Sequence, residues 1–138
     1  MKISDILAKV DEIKPNQFDD NTKISWLSEL DGRIFNTVIM THVHDLVKQE
    51  EEDAETGEIT VIEVEPTFTA YRTEDADLIL PETYADVYRH WLYAMMDYAN
   101  GESERYQNSM LMFNAKYQEF TNWYNSTHLP IQTPLKLI

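Results

Sequence analysis

Apolar residues near the start of the chain recur every three or four positions, which is the spacing of one face of an α-helix. In the first such segment the repeating residues are Ile3, Ile6, Leu7, Val10 and Ile13. Ser4 is a suitable N-cap for this helix, and Pro15 stops its continuation. The pattern therefore predicts a short amphipathic helix that ends before Pro15.

A second, longer segment with the same spacing follows a polar linker at residues 16–20. Its apolar positions are Ile24, Leu27, Leu30, Ile34, Val38 and Met40, with Trp26 and Phe35 beside them. Asp19, Asp20 or Thr22 can begin the helix, and Gly32 within it costs ~1 kcal/mol of helix stability. We predict a single helix of roughly 20 residues here.

The helical spacing ends at Val47, and the acidic run at residues 50–57 (EEEDAETG) predicts a turn. Residues 59–64 are rich in β-branched side chains, and residues 67–72 alternate between polar and apolar side chains. We predict that these two segments pair as an antiparallel hairpin, inserted at residues 59–72. Because an isolated hairpin is marginally stable in water, we expect it to pack against the helices or another chain.

Two further helices are predicted in the second half of the chain. Pro81 marks the start of the third helix, and Asn100 with Gly101 ends it. Its apolar stripe is Tyr84, Val87, Tyr88, Trp91, Leu92, Met95 and Ala99, and that of the fourth helix is Tyr106, Met110, Phe113, Tyr117, Phe120 and Tyr124. The turn between them is so short that the two helices should pack antiparallel.

The last ten residues, 129–138 (LPIQTPLKLI), contain two prolines and five aliphatic side chains. The prolines prevent a continuous helix, and the aliphatic side chains favour docking over solvent exposure. The predicted fold is therefore mainly α: a four-helix bundle-like core with an inserted β-hairpin and an extended C-terminal arm.

Length and composition exclude several classes of function for this chain. A length of 138 residues suits one domain spanning 1–138, and the formal net charge of −14 opposes nucleic-acid binding by a basic patch. The absence of cysteine excludes disulfides and thiolate metal sites, and with 3 glycines a phosphate-binding loop is not expected. The chain has neither a signal-peptide pattern nor a membrane-spanning apolar run, so we expect a soluble, intracellular protein.

The sequence offers few candidate residues for metal binding or catalysis. His42 and His44, beside Asp45, could contribute two ligands to a zinc or manganese site. Residues two apart on a helix point in different directions, however, and no third ligand lies at a set spacing, so packing or surface roles are favoured. No carboxylate pair stands beside a nucleophile, and the usual enzyme motifs are missing. We therefore expect neither an enzyme nor a bound cofactor.

Segments at both ends of the chain follow the running pattern of a known family. In the first part these are Ile3-Ser4-Asp5, residues 11–16 (DEIKPN) and residues 23–31 (KISWLSELD). In the second part they are Leu80-Pro81-Glu82-Thr83-Tyr84, Tyr88, residues 97–102 (DYANGE), residues 105–109 (RYQNS), Phe113-Asn114, Tyr117, Phe120, Trp123-Tyr124 and His128-Leu129-Pro130. Together these segments resemble small neck proteins, the head–tail connectors or adaptors of bacteriophages and prophages of Gram-positive bacteria. Residues 43–77 match no part of that pattern.

This resemblance implies a structural virion protein that forms a ring, commonly of about twelve copies, beneath the portal. Such a ring extends the DNA channel toward the tail, and DNA passes through it without specific binding. The implied partners are other copies of the chain, the portal protein and the next neck or tail protein, with no membrane. The implied location is the virion neck, after assembly in the host cytoplasm.

Two surfaces follow as candidates for these contacts. Glu50, Glu51 and Glu52 are expected to face the DNA channel, where like charge keeps DNA from adhering to the wall. The aliphatic side chains of the arm, Leu129, Ile131, Leu135, Leu137 and Ile138, are expected to dock on the portal or on a neighbouring subunit. A fold-back of the arm onto its own helices is the competing interpretation.

Two other functions remain open from the residues alone. The aromatic stripes of the third and fourth helices could form the groove of a small helical ligand- or peptide-binding domain. A metal-dependent enzyme centred on His42 and His44 is the third possibility.

Overall fold

The computed structural model of the protein describes residues 1–131, which form a mainly helical domain with one antiparallel hairpin. The helices are α1 (Ile3–Ile13), α2 (Asp20–Ile34), α3 (Ala85–Ala99) and α4 (Ser103–Thr127), and the strands are β1 (Val47–Glu52) and β2 (Ile59–Val64). A π-helical turn, Phe35–Ile39, continues α2, and a 3-10 turn, Glu82–Tyr84, precedes α3. These elements confirm the predicted fold class.

The start of α1 differs from the prediction in its cap. Lys2, and not Ser4, is the extended residue before the helix. The first helical amides of Ile3 and Ser4 donate to the carbonyls of Ala76 and Glu74, at 3.1 and 2.9 Å. The backbone of the distant loop therefore satisfies amides that a local side chain would otherwise cap. In α2 the cap is Asp19, one of the three predicted candidates, because its carboxylate accepts from the amide of Thr22 at 2.8 Å.

The core forms where α3 and α4 pack antiparallel and α1 and α2 cover α3. Aromatic contacts follow the two helices in opposite directions, with ring centroids 5.4 Å apart for Tyr98 and Tyr106 and 5.1 Å apart for Trp91 and Phe113. The largest fully buried apolar side chains are Tyr88, Phe120, Ile3, Ile6, Leu27, Ile34, Leu80, Leu92, Met96, Val10 and Val87. The apolar stripes predicted for the four helices thus meet in one core, except at Ile13 and Ala99, whose side chains are exposed.

Two lysines form ion pairs that tie α1 to its neighbours. Lys23 on α2 is 2% exposed and lies 2.6 Å from the carboxylate of Asp11 on α1. Burial alone would raise the pKa of Asp11, but the hydrogen bonds from Lys23 and Asn16 lower it. Lys14 pairs with the buried carboxylate of Asp97 on α3, which also accepts from the Ser109 hydroxyl at 2.8 Å.

The hairpin is present, but its predicted pairing is wrong. The strand at residues 59–64 pairs with Val47–Glu52 and not with residues 67–72. The acidic run therefore contributes Glu50, Glu51 and Glu52 to a strand, and the turn begins only at Asp53. Residues 67–72 are bound to α2 instead, since the amide of Tyr71 donates to the Ser28 hydroxyl at 3.0 Å.

Candidate functional site

The most exposed element of the described chain is the hairpin of β1 and β2. Every residue of β1 is exposed, and within the described part of the chain neither strand makes an extensive contact with a helix. Residues 47–65 contain eight acidic side chains and a single lysine. The hairpin therefore projects from the core as an acidic surface.

The strand register divides the hairpin into two faces. Residues directly opposite each other share a face, and successive residues on one strand alternate. The face that we call the Ile59 face carries Lys48, Glu50, Glu52, Ile59, Val61 and Glu63. The opposite face, called the Ile62 face, carries Val47, Gln49, Glu51, Thr60, Ile62 and Val64.

The two faces expose different chemistry. On the Ile59 face, Ile59 and Val61 are 61% and 60% exposed, and each lies opposite a glutamate of β1. On the Ile62 face, Ile62 and Val64 are half-buried. The Ile59 face is thus an apolar row beside an acidic row, without an intramolecular cover among the described residues.

The three glutamates predicted to face the channel do not lie on one face of the hairpin. Glu50 and Glu52 lie on the Ile59 face, whereas Glu51 lies on the Ile62 face. All three are exposed. A molecule that contacts the Ile59 face therefore meets Glu50 and Glu52, whereas one that contacts the Ile62 face meets Glu51.

The turn of the hairpin is held by its own backbone. The Asp53 amide donates to the Glu58 carbonyl at 2.9 Å, and Gly57 donates back to the Asp53 carbonyl at 2.8 Å. Gly57 has φ +66°, a conformation that side chains with a Cβ disfavour. The Glu55 amide donates a hydrogen bond to the Asp53 carboxylate, which lowers the pKa of that carboxyl and keeps it ionised.

Two histidines hold the base of the hairpin. His44 precedes β1 and its Nε2 lies 2.6 Å from the carboxylate of Glu65, which follows β2. The hydrogen bond to Glu65 raises the pKa of His44 above its ordinary value. The buried ring of His42 joins the base to the core, with Nδ1 donating to the Val38 carbonyl at 2.6 Å and Nε2 bonded to Asn125 Oδ1 at 2.8 Å.

These contacts give His42 and His44 structural roles. Both nitrogens of each ring face a hydrogen-bond partner, the second for His44 being the carbonyl of His42 at 2.7 Å. Within residues 1–131, no three His, Asp or Glu side chains gather as a metal site would require. The hypothesis of a metal centre at this pair gains no geometric support.

The C-terminal arm begins by pairing with its own chain. The Val43 amide donates to the Leu129 carbonyl at 2.7 Å, and the Ile131 amide donates to the Thr41 carbonyl at 2.9 Å. The side chains of Leu129 and Ile131 are nevertheless 75% and 52% exposed. Of the predicted docking residues, Leu135, Leu137 and Ile138 lie outside the described residues.

The aromatic stripe of α4 contributes to the core. Phe113, Phe120 and Tyr124 are buried, and the ring of Phe120 lies 5.6 Å from that of Tyr84 at the start of α3. A large open groove lies elsewhere, between α2 and residues 68–72, with a volume of about 690 Å³.

A buried carboxylate on α2 fixes one wall of this groove. The side chain of Asp31 is fully buried and accepts from the hydroxyls of Tyr71 and Tyr88, each at 2.6 Å, and from the Ile79 amide at 3.1 Å. Burial raises the pKa of Asp31, although these hydrogen bonds oppose the shift. Burial also raises the pKa values of Tyr71 and Tyr88, so both hydroxyls stay protonated.

Sequence reasoning missed Asp31. The available signal was an acidic residue on the apolar side of a helix, directly after Leu30 and one turn after Leu27. An acid at such a position needs hydrogen-bond donors, and tyrosines elsewhere in the chain were the obvious source.

No family model, curated protein or solved structure matches this chain. Among the described residues, no helix combines the length and the apolar character needed to cross a membrane.

Proposed function

We propose that the chain is a structural subunit of a bacteriophage neck, a head–tail connector that assembles as a ring beneath the portal and extends the DNA channel. The observation that carries this proposal is the projecting hairpin, whose apolar Ile59 face has no intramolecular cover in the described chain. The resemblance of both ends of the chain to phage neck proteins supplies the kind of assembly.

The hairpin has the properties of a surface that is completed by another molecule. A two-stranded sheet is marginal by itself, and within residues 1–131 no further strand pairs with the outer edge of either strand. Full burial of Ile59 and Val61 against a partner would contribute about 1.5–3 kcal/mol for each side chain. Assembly would therefore stabilise the hairpin together with the contact that it makes.

The acidic character of the hairpin suits a position near the DNA channel. Its carboxylates repel the phosphate backbone, and screening limits this repulsion to about 8 Å at physiological salt. Because Glu51 and the pair of Glu50 and Glu52 lie on opposite faces, one of these sets lines the channel and the other faces away from it.

The arm is the second proposed contact, toward the portal or a neighbouring subunit. Leu129 and Ile131 expose their side chains while their backbones are fixed to residues 41–43. The fixed backbone lowers the conformational entropy that docking would cost. Deletion of residues 131–138 should abolish neck assembly without lowering the melting temperature, whereas a large fall in melting temperature would place the arm in the subunit's own core.

The experiment that tests the function mixes the purified chain with the portal protein encoded in the same genome. Mass photometry and electron microscopy should show a ring of the chain on one end of the portal. Failure to associate at any salt concentration would contradict the proposal. So would a genome in which no portal, capsid or tail genes accompany this gene.

The register offers a matched variant for this experiment. Val47 and Val64 lie directly opposite each other, so an Asn-Gly turn can replace residues 48–63 and close the chain with two residues. Because the hairpin makes no extensive contact with a helix, the shortened chain should keep the melting temperature of the full chain. It should fail to form the ring, and ring formation by the shortened chain would remove the hairpin from the assembly contacts.

A further inference from the structure

Residues 67–72 (TFTAYR) have the sequence of a strand but no strand partner in the described chain. The backbone amides of residues 67–70 and of Arg72 donate to no described residue. Tyr71 and Phe68 fix this segment against α2, with the Phe68 ring 3.3 Å from the position that a Cβ on Gly32 would occupy. The segment is therefore held in place while most of its backbone donors remain available.

The groove of about 690 Å³ lies directly beside this segment. Ile24, Ser25, Ser28 and Gly32 of α2 form one side, and Phe68, Ala70 and Arg72 form the other. Small side chains on α2 leave room for a flat element above the helix. A sheet that used residues 67–72 as one strand would cover this face of α2.

The charge of the groove differs from that of the rest of the surface. Residues 66–73 carry Arg72 and no acidic side chain, although the chain as a whole has a formal net charge of −14. On the α2 side, Glu29 is neutralised by Arg33 at 2.8 Å. The groove is thus a neutral to basic surface on a strongly acidic protein, which favours an acidic occupant.

We propose that the hairpin of a second copy of the chain occupies this groove. The outer edge of β2 pairs with residues 67–72, and the Ile59 face lies on α2, so that Ile59 and Val61 are buried and Glu50 and Glu52 approach Arg72. The product is a three-stranded sheet on a helix, which has the stability that the isolated hairpin lacks. This inference rests on the proposed function, because it specifies the contact between subunits of the ring.

The contact is head-to-tail, since the hairpin of one copy meets a different surface of the next. Interfaces of this kind generate rings when the rotation closes. The arrangement also assigns the acidic residues: Glu50 and Glu52 contact the neighbour, and Glu51 lies on the Ile62 face, away from that neighbour. Glu51, with the acids of the turn, is then the part of the hairpin available to the DNA channel.

Disulfide trapping tests this contact directly, because the chain contains no cysteine. A Val61→Cys chain is mixed with a Ser25→Cys chain of different tag length, so that a mixed disulfide reports only contacts between copies. The matched control replaces Val61→Cys by Thr60→Cys, an exposed neighbour on the Ile62 face. We expect mixed dimer from Val61→Cys to form at least about tenfold faster than from Thr60→Cys, a ratio that corresponds to ~1.4 kcal/mol. Equal rates, or no mixed dimer from either pair, would overturn the proposal.

Charge reversal supplies a second measurement on exposed residues, whose replacement leaves the core intact. Arg72→Glu in the Ser25→Cys chain should slow trapping, and Glu50→Lys with Glu52→Lys in the Val61→Cys chain should do the same. Combining both changes should restore the rate, and trapping that is indifferent to all of them would overturn the predicted orientation.

The same cysteine pair separates this inference from the proposed function. If rings form on the portal without the Val61–Ser25 crosslink, the contact is wrong and the connector function stands. If the crosslink forms but the portal never binds, the contact stands and the connector function fails.

Discussion

Replacement of Tyr88 by phenylalanine should destabilise the fold far more than the same change at Tyr71. The Tyr88 hydroxyl donates to Asp31 Oδ1 at 2.6 Å and accepts from the buried Leu80 amide at 2.9 Å. The first hydrogen bond involves a carboxylate, for which the loss costs about 1.5–3 kcal/mol, and the unpaired amide adds about 1–3 kcal/mol. We therefore expect Tyr88→Phe to lower the free energy of unfolding by about 3 kcal/mol.

Tyr71→Phe is the matched control, because it removes one hydroxyl from the same carboxylate. Asp31 Oδ2 keeps the Ile79 amide at 3.1 Å, and water can reach the half-buried Tyr71 position. The expected cost is about 1 kcal/mol. Since Asp31 fixes residues 71–80 to α2, both variants should also loosen the wall of the groove.

Urea unfolding followed by circular dichroism measures the two changes. With a denaturant slope of about 2 kcal/mol per molar urea, the midpoint should fall by about 1.5 M for Tyr88→Phe and about 0.5 M for Tyr71→Phe. Equal shifts, or a loss below about 1 kcal/mol for Tyr88→Phe, would refute the assignment of the buried carboxylate as the anchor of this loop.

Other expectations concern the hairpin base, a helix end and a buried lysine. The His44–Glu65 pair should stabilise the fold fully below pH 6.5, and this stabilisation should be lost as the pH rises through the raised pKa of His44. In the His44→Gln variant, the urea midpoint should therefore change less with pH over this range. Gly101→Ala should cost about 1 kcal/mol, measured in the same assay, because Gly101 has φ +71° between α3 and α4. Lys23→Ala should destabilise more than Asp11→Ala, because Lys23 is 2% exposed and Asp11 is 46% exposed; the reverse order would show that the pair contributes through Asp11.

The helices could be predicted from the sequence because their signals are local. The apolar spacing of α1, the Asp19 cap of α2 and the Gly101 end of α3 each depend on residues within a few positions. The N-cap of α1 could not be predicted, because its amides are satisfied by carbonyls at least seventy residues away, at Glu74 and Ala76. Local pattern reasoning sees no such partner.

The hairpin pairing failed for the same reason. Residues 47–52 (VKQEEE) have low strand propensity, and their strand exists because the turn before Gly57 brings them opposite Ile59–Val64. Residues 67–72 have the better strand pattern, yet they pack on α2. The Phe68 ring lies against Gly32, and the Tyr71 hydroxyl donates to Asp31. Tertiary contacts thus decided which of two candidate segments became the strand.

The sequence shows that the acidic residues cluster in the middle of the chain, but it does not show which face of the hairpin each residue occupies. Glu50, Glu51 and Glu52 form one run in the sequence, and strand alternation divides them between two surfaces. Only the strand register reveals that a single run of like residues can serve two different partners.

The π-helical turn at Phe35–Ile39 lies between α2 and the hairpin. Its Met40 amide donates to the Phe35 carbonyl at 3.0 Å, five residues back, so the turn contains one residue more than an α-helical turn. In an α-helix each residue advances the rotation about the axis by about 100°. A deletion of one residue here, such as Asn36, would replace the wide turn by an α-helical turn of nearly the same sweep, so the hairpin base would keep its orientation, whereas the same deletion within α2 would turn it by about 100°. The chain therefore has one position before its hairpin at which a single-residue change in length leaves the closure angle of an assembly unchanged.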